Sequence, residues 1–199
     1  MTFRLRLQAF FDSIFNTLPL RKTYHLIGGG LVFILLIILK PNWFLILGAL
    51  YLALFAWFSR RISYAMLGIW LVMLLTHSQA ICLAAWLIFW VGDGLAPIVG
   101  VRYGRYQWPW HPQKTIEGSA AFCAAAYPVL LLFLISYVGS PINETFLIAL
   151  LVTLVASLVE TLPTPYVYGY RPGDNLQVIL ITAWLLFHYA PQLGLDRVP

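Results

Sequence analysis

The chain has 199 residues, of which 61% are hydrophobic and 10% charged, and it carries a formal net charge of +5. Its mean hydropathy of +0.84 lies outside the range of a soluble domain of this length, so most of the chain is expected to be solvated by lipid. The composition therefore predicts an all-α, polytopic integral membrane bundle, and it attributes the positive charge to membrane topology and anionic lipid rather than to a nucleic-acid partner.

Residues 1–20 are neither a signal peptide nor a first span, because Arg4 and Arg6 interrupt the apolar residues and no small-residue cleavage site follows. Phe3, Leu7, Phe10, Phe11, Ile14 and Leu18 share one helical face. This pattern reads as an amphipathic interfacial segment on the cytoplasmic leaflet, with a mobile tail as the alternative. Residues 21–199 read as a single transmembrane catalytic domain.

A helix needs roughly 20 apolar residues to cross the hydrocarbon, and the sequence divides into runs of about that length. About seven spans are expected, at 24–39, 41–58, 62–76, 78–96, 117–138, 144–163 and 174–191, the third short enough to be re-entrant. The intervening stretches have turn or helix-end compositions, and the longest is the connector from Pro97 to Thr115. Cys82 and Cys123 fall inside spans as small apolar fillers. Alternate loops divide the cations sharply. One side receives Arg4, Arg6, Arg21, Lys22, Arg60, Arg61, Arg102, Arg105, Lys114 and Arg171, and the other only Lys40 and Arg197. The bias of Lys and Arg towards the cytoplasm then places the N-terminus inside, and with it Asp93, Glu117, Glu160 and Asp174 near the cytoplasmic face.

Charged residues at a membrane boundary are costly, which makes each of these carboxylates a functional candidate. Asp93, at the end of Trp86-Leu87-Ile88-Phe89-Trp90-Val91-Gly92, suits a Mg²⁺ ion carried by a nucleotide, or a structural pair with Arg102 or Arg105. Gly92, Gly94, Gly100 and Gly104 allow close approach of a phosphate, while Gly100 and Gly104 equally match small-xxx-small helix packing. Pro97 is expected to break or kink the helix beside Asp93. Arg102, Arg105 and Lys114 are enough to offset a triphosphate, although topology alone would also put cations there. Thr115 and Glu117 either cap the next helix or reach a metal. Glu160 is a second intramembrane acid on the same side, suited to act as a general base or as a metal or positioning residue. Asp174, with Asn175, caps the last span or binds metal. His25, just inside the first span, orients a phosphate or a carboxylate or is structural.

Taken together these residues resemble the polyprenol kinase group, which includes phytol, farnesol and dolichol kinases, within the wider membrane CTP-using transferases. The resemblance rests on Arg21-Lys22 with His25; Gly92-Asp93-Gly94-Leu95-Ala96 through Gly100 and Arg102-Tyr103-Gly104; Lys114-Thr115-Ile116-Glu117-Gly118-Ser119; Glu160-Thr161-Leu162-Pro163; and Asp174-Asn175-Leu176. Two positions depart from it. Pro97 stands where phytol and farnesol kinases often carry Asp, and Gln177-Val178 replaces a common Thr-Val-Pro.

The resemblance implies transfer of the γ-phosphate of CTP to an isoprenoid alcohol drawn from the bilayer, giving a prenyl monophosphate and CDP. Catalytic roles would fall to Asp93, Lys114 and Glu160. Nucleotide contacts would come from Gly92, Gly94, Arg102, Gly104, Arg105, Thr115, Glu117, Asn175 and His25, and Mg²⁺ contacts from Asp93, Glu117 and Asp174. Membrane lipids are expected partners, a homodimer is compatible, and no nucleic acid is expected. The absence of a transit or signal sequence points to a prokaryotic plasma or internal membrane, with the active site facing the cytoplasm. The rival enzymatic reading is a phosphatidate cytidylyltransferase, but its C-terminal Lys-Asp and Pro-Gly-His-Gly-Gly signature is absent from 160–199. A small transporter is the non-enzymatic rival, disfavoured by the lack of an inverted repeat and by polar residues gathered at one face.

Overall fold

The computed structural model describes the backbone of residues 18–55, 60–163 and 174–196, and the side chains of residues 25–52, 64–163 and 175–196. The expected interfacial segment at 1–20 falls almost entirely outside the described residues, as do the side chains of Arg21, Lys22, Arg171 and Asp174.

Apolar runs become helices because lipid offers no alternative partner for backbone N–H and C=O groups. The described helices are α1 (Leu18–Ile38), α2 (Pro41–Phe55), α3 (Arg60–Thr76), α4 (Gln79–Tyr103), α5 (Ile116–Phe133), α6 (Ile142–Thr161), α7 (Asp174–His188) and the short α8 (Ala190–Leu193). Three of them, α4, α5 with its extension to Val138, and α6, are long and apolar enough to cross a membrane. The apolar parts of α1, α2, α3 and α7 are shorter, at His25–Ile38, Pro41–Leu52, Tyr64–Thr76 and Asn175–His188. The architecture is thus an all-α bundle of apolar helices.

Two departures from the sequence reading bear on the site. First, α4 does not stop at Ala96 but runs through Pro97 to Tyr103. Proline has no N–H to donate to the carbonyl four residues back, yet the helix continues. Packing supplies what the local sequence lacks, because α1, α5 and α7 all lie against α4. Second, the connector contains a small antiparallel hairpin, β1 (Gln107–Trp108) and β2 (His111–Thr115).

The core is built around α4, in which every residue from Ala80 to Phe89 is buried. Its start is capped by Ser78, whose Oγ accepts from Ile81 N at 3.3 Å. Next to that cap, Gln79 donates to Leu36 O near the end of α1. α5 packs antiparallel on α4, and α6 on α5, through Ser157 Oγ to Ser119 O at 3.0 Å. The last turn of α5 widens over Leu134–Val138 and is closed by Gly139 in the left-handed region, φ 75°. At that end Ser140 Oγ donates to Leu193 O, tying α8 back to the start of α6. Large apolar side chains such as Leu31, Ile38, Leu147 and Leu154 stay exposed around the perimeter, the surface a lipid-solvated bundle presents.

This alternation brings the start of α1, the end of α4, the start of α5 and the end of α6 to one end of the bundle. His25, Asp93, Arg102, Arg105, Lys114, Glu117 and Glu160 all belong to that end.

Candidate active site

Asp93 lies ten residues before the end of α4 and therefore deeper than a helix ending at Ala96 would put it. At 1.5 Å per residue, the Asp93 position is about 10 Å along the axis from Gly100, where the hairpin meets the helix. Its side chain is 18% exposed, and His25 Nε2 stands 3.6 Å from Asp93 Oδ2. The same nitrogen lies 3.1 Å from Trp90 O, and the imidazole meets the edge of Phe89 at 5.5 Å between ring centroids. A carboxylate packed among apolar helices needs compensating polar contact, and α1 delivers a histidine to it.

The second polar pair sits at the mouth of the bundle. Lys114, at the end of β2, is bound to Glu160, the penultimate residue of α6, and their side chains are 23% and 4% exposed. The structure therefore brings two of the sequence-derived catalytic candidates into direct contact. Two indoles tie the hairpin that carries the lysine to α5 and α6. Trp108 Nε1 donates to Ser119 Oγ at 2.9 Å, Trp110 Nε1 donates to Thr161 Oγ1 at 3.2 Å, and the two rings stack at 4.8 Å. Sequence reasoning passed over both tryptophans and Ser157. The one signal the sequence offers for them is polar-tipped side chains, two indoles and a hydroxyl, beside apolar runs.

Thr115 and Glu117 organise the start of α5. Thr115 is its N-cap, with Oγ1 accepting from Gly118 N at 3.1 Å. The Glu117 carboxylate accepts from Arg105 N at 3.0 Å and from Tyr106 N at 3.3 Å, so it holds the chain leaving α4 against the helix it begins. Negative charge at a helix start is also favoured by the helix dipole.

The glycines mark close packing. A Cβ on Gly92 would meet the Phe122 ring at 2.5 Å, and one on Gly94 would meet Leu26 at 3.0 Å and His25 at 3.6 Å. Gly100 and Gly104 face Thr115, with Gly100 also near Gly118, the small-residue packing foreseen as one alternative. Arg102 and Arg105 are exposed, and the Arg102 guanidinium lies 5.4 Å from the Tyr103 ring centroid. Asn175 is half-buried in the first turn of α7.

No cluster of three or more His, Cys, Asp or Glu side chains able to hold a metal occurs among the described residues. Asp93 and Glu117 are not gathered into one cage. A lone carboxylate such as Asp93 nevertheless fits Mg²⁺ delivered on a nucleotide, because that ion keeps several waters and takes one or two carboxylates plus phosphate oxygens.

Comparison with known proteins gives a partial likeness. The chain is 34% identical over 104 residues to a protein named probable phytol kinase, chloroplastic, of Triticum aestivum, covering 48% of this chain and 33% of that protein. It is 32% identical over 106 residues to probable phytol kinase 1, chloroplastic, of Glycine max, covering 49% and 34%. It is 48% identical over 44 residues to dolichol kinase of Saccharomyces cerevisiae, covering 22% and 8%. The match thus spans about a third of the length of these phytol kinases and under a tenth of the dolichol kinase. No family model and no solved structure matches the chain. These relatives are eukaryotic and lend no support to the expected prokaryotic membrane.

Proposed function

We propose that this chain is a membrane kinase of the polyprenol kinase type, transferring the γ-phosphate of CTP to an isoprenoid alcohol such as phytol, farnesol, geranylgeraniol or dolichol. The observation that carries this reading is a carboxylate, Asp93, held with His25 inside an apolar bundle, in a chain similar to proteins named phytol kinase and dolichol kinase. The face bearing these groups opens to the cytoplasm in this reading, as the distribution of Lys and Arg implies.

Phosphoryl transfer depends mainly on positioning and on offsetting charge. The alcohol oxygen forms a bond to the γ-phosphorus as the bond from that phosphorus to the β,γ-bridging oxygen breaks, and CDP leaves. Asp93 is the residue whose setting suits holding a Mg²⁺ ion carried on the nucleotide, which would supply neutralisation of phosphate charge when bound. Lys114 and the exposed Arg102 and Arg105 offset the rest. Glu160 keeps Lys114 in place and receives the hydroxyl proton once Lys114 turns to the nucleotide. The isoprenoid tail stays among the apolar side chains, so only its hydroxyl reaches the phosphates.

The test supplies the purified chain with the four alcohols, phosphatidic acid and CTP labelled at either the γ- or the α-phosphate. The γ-label is expected in a prenyl monophosphate. The α-label in a CDP-lipid would replace this reading with cytidylyl transfer, and no label in any lipid would contradict both.

A further inference from the structure

Trp90 lies one turn before Asp93 on α4 and engages α1 at several points. Its indole Nε1 donates to Leu26 O at 3.0 Å, its own carbonyl oxygen faces His25 Nε2 at 3.1 Å, and its ring stacks on Phe33 at 6.2 Å between centroids. One turn earlier, Trp86 Nε1 donates to Gly29 O at 2.9 Å. Two indoles therefore hold main-chain carbonyls of α1, which fixes both the height of that helix and its rotation.

The spacing is set by Gly29. A Cβ there would lie 2.1 Å from Trp90 Cδ1, whereas a Cβ on the preceding Gly28 would meet nothing within 4 Å. The chemistry follows from the same contact. A carbonyl oxygen has no proton to give, so the approach to Trp90 O puts the proton on His25 Nε2, the nitrogen that stands 3.6 Å from Asp93 Oδ2.

We infer that Trp90 and Gly29 are positioning residues: they hold α1 at the separation that keeps His25 on Asp93 and thereby govern turnover without touching the substrate. This inference rests on the kinase reading for its kinetic consequence, and on geometry alone for its spectroscopic one.

The experiment uses the full chain in detergent or nanodiscs and compares wild type with Gly28→Ala, Gly29→Ala and Trp90→Phe, each alone and combined with His25→Ala. Gly29→Ala and Trp90→Phe are expected to lower kcat about 10- to 100-fold, the cost of misplacing a reacting group by an ångström. Gly28→Ala is expected to stay within about twofold of wild type, and in the His25→Ala background the other two should cost less than about twofold more, because they act through the histidine. The ¹⁵N imidazole signal of His25, which requires no turnover, should move in Gly29→Ala and Trp90→Phe but not in Gly28→Ala. Trp90→Phe removes one N–H while retaining an aromatic ring, so it decides the matter if Gly29→Ala does not fold. Losses that multiply undiminished with His25→Ala, or an imidazole signal unmoved in Trp90→Phe, would overturn the inference. A wild-type chain that phosphorylates no alcohol would instead refute the kinase reading, leaving the imidazole signal to judge the geometry.

Discussion

Lys114 and Glu160 are 46 residues apart in sequence, yet the lysine at the end of the hairpin is bound to a carboxylate that is 4% exposed at the end of α6. Breaking a buried pair from one side leaves a charge deprived of its counter-ion, which typically costs about 3 to 5 kcal/mol. Lys114→Ala is therefore expected to lower the thermal midpoint in detergent substantially. The double variant Lys114→Ala/Glu160→Gln should recover most of that loss, because it removes both charges, while nucleotide use stays impaired. A double variant with normal CTP dependence would remove Lys114 from the nucleotide site.

Glu117 makes a separate prediction. Its carboxylate receives the main-chain N–H groups of Arg105 and Tyr106, so Glu117→Ala should loosen the chain leaving α4 from the start of α5. Hydrogen exchange at the Arg105 and Tyr106 amides is expected to accelerate selectively. Unchanged protection of those two amides would show that the carboxylate does not hold the hairpin.

Gly100 and Thr115 should behave as one unit. A Cβ on Gly100 would stand 2.9 Å from the Thr115 hydroxyl that caps α5, so Gly100→Ala must displace the cap. Thr115→Ala is expected to cost about 1 kcal/mol as a lost N-cap. Gly100→Ala should cost at least as much, and the double variant less than the sum. Strict additivity in thermal unfolding would separate the two residues.

The helices were legible because apolar runs of near-span length have few other structures open to them in lipid. The Lys114-Thr115-x-Glu117 run was correctly placed at a helix start, where capping chemistry is local. The end of α4 is not legible, since Pro97 signals a break locally. Packing by α1 and α5 overrides that signal, carrying the helix to Tyr103 and leaving Asp93 two turns deeper. The hairpin had no periodic signature in so short a stretch, and it is held by contacts to Ser119 and Thr161 that only the tertiary fold provides. For the same reason the side-chain neighbours of Asp93 and Lys114 are not legible: a pair with Arg102 or Arg105 is the structural alternative the sequence offers for Asp93, whereas the fold places His25 beside it.

Asp93 is the residue on which the proposed kinase activity most directly depends. Purified wild-type and Asp93→Asn proteins, matched for folded material by thermal unfolding, would be given γ-labelled CTP, Mg²⁺ and the isoprenoid alcohols, and label in prenyl monophosphate would be counted. Label is expected with wild type and a loss of at least about 100-fold with Asp93→Asn, the scale expected on removing a transition-state charge contact. Equal labelling by the two proteins would contradict this dependence on Asp93.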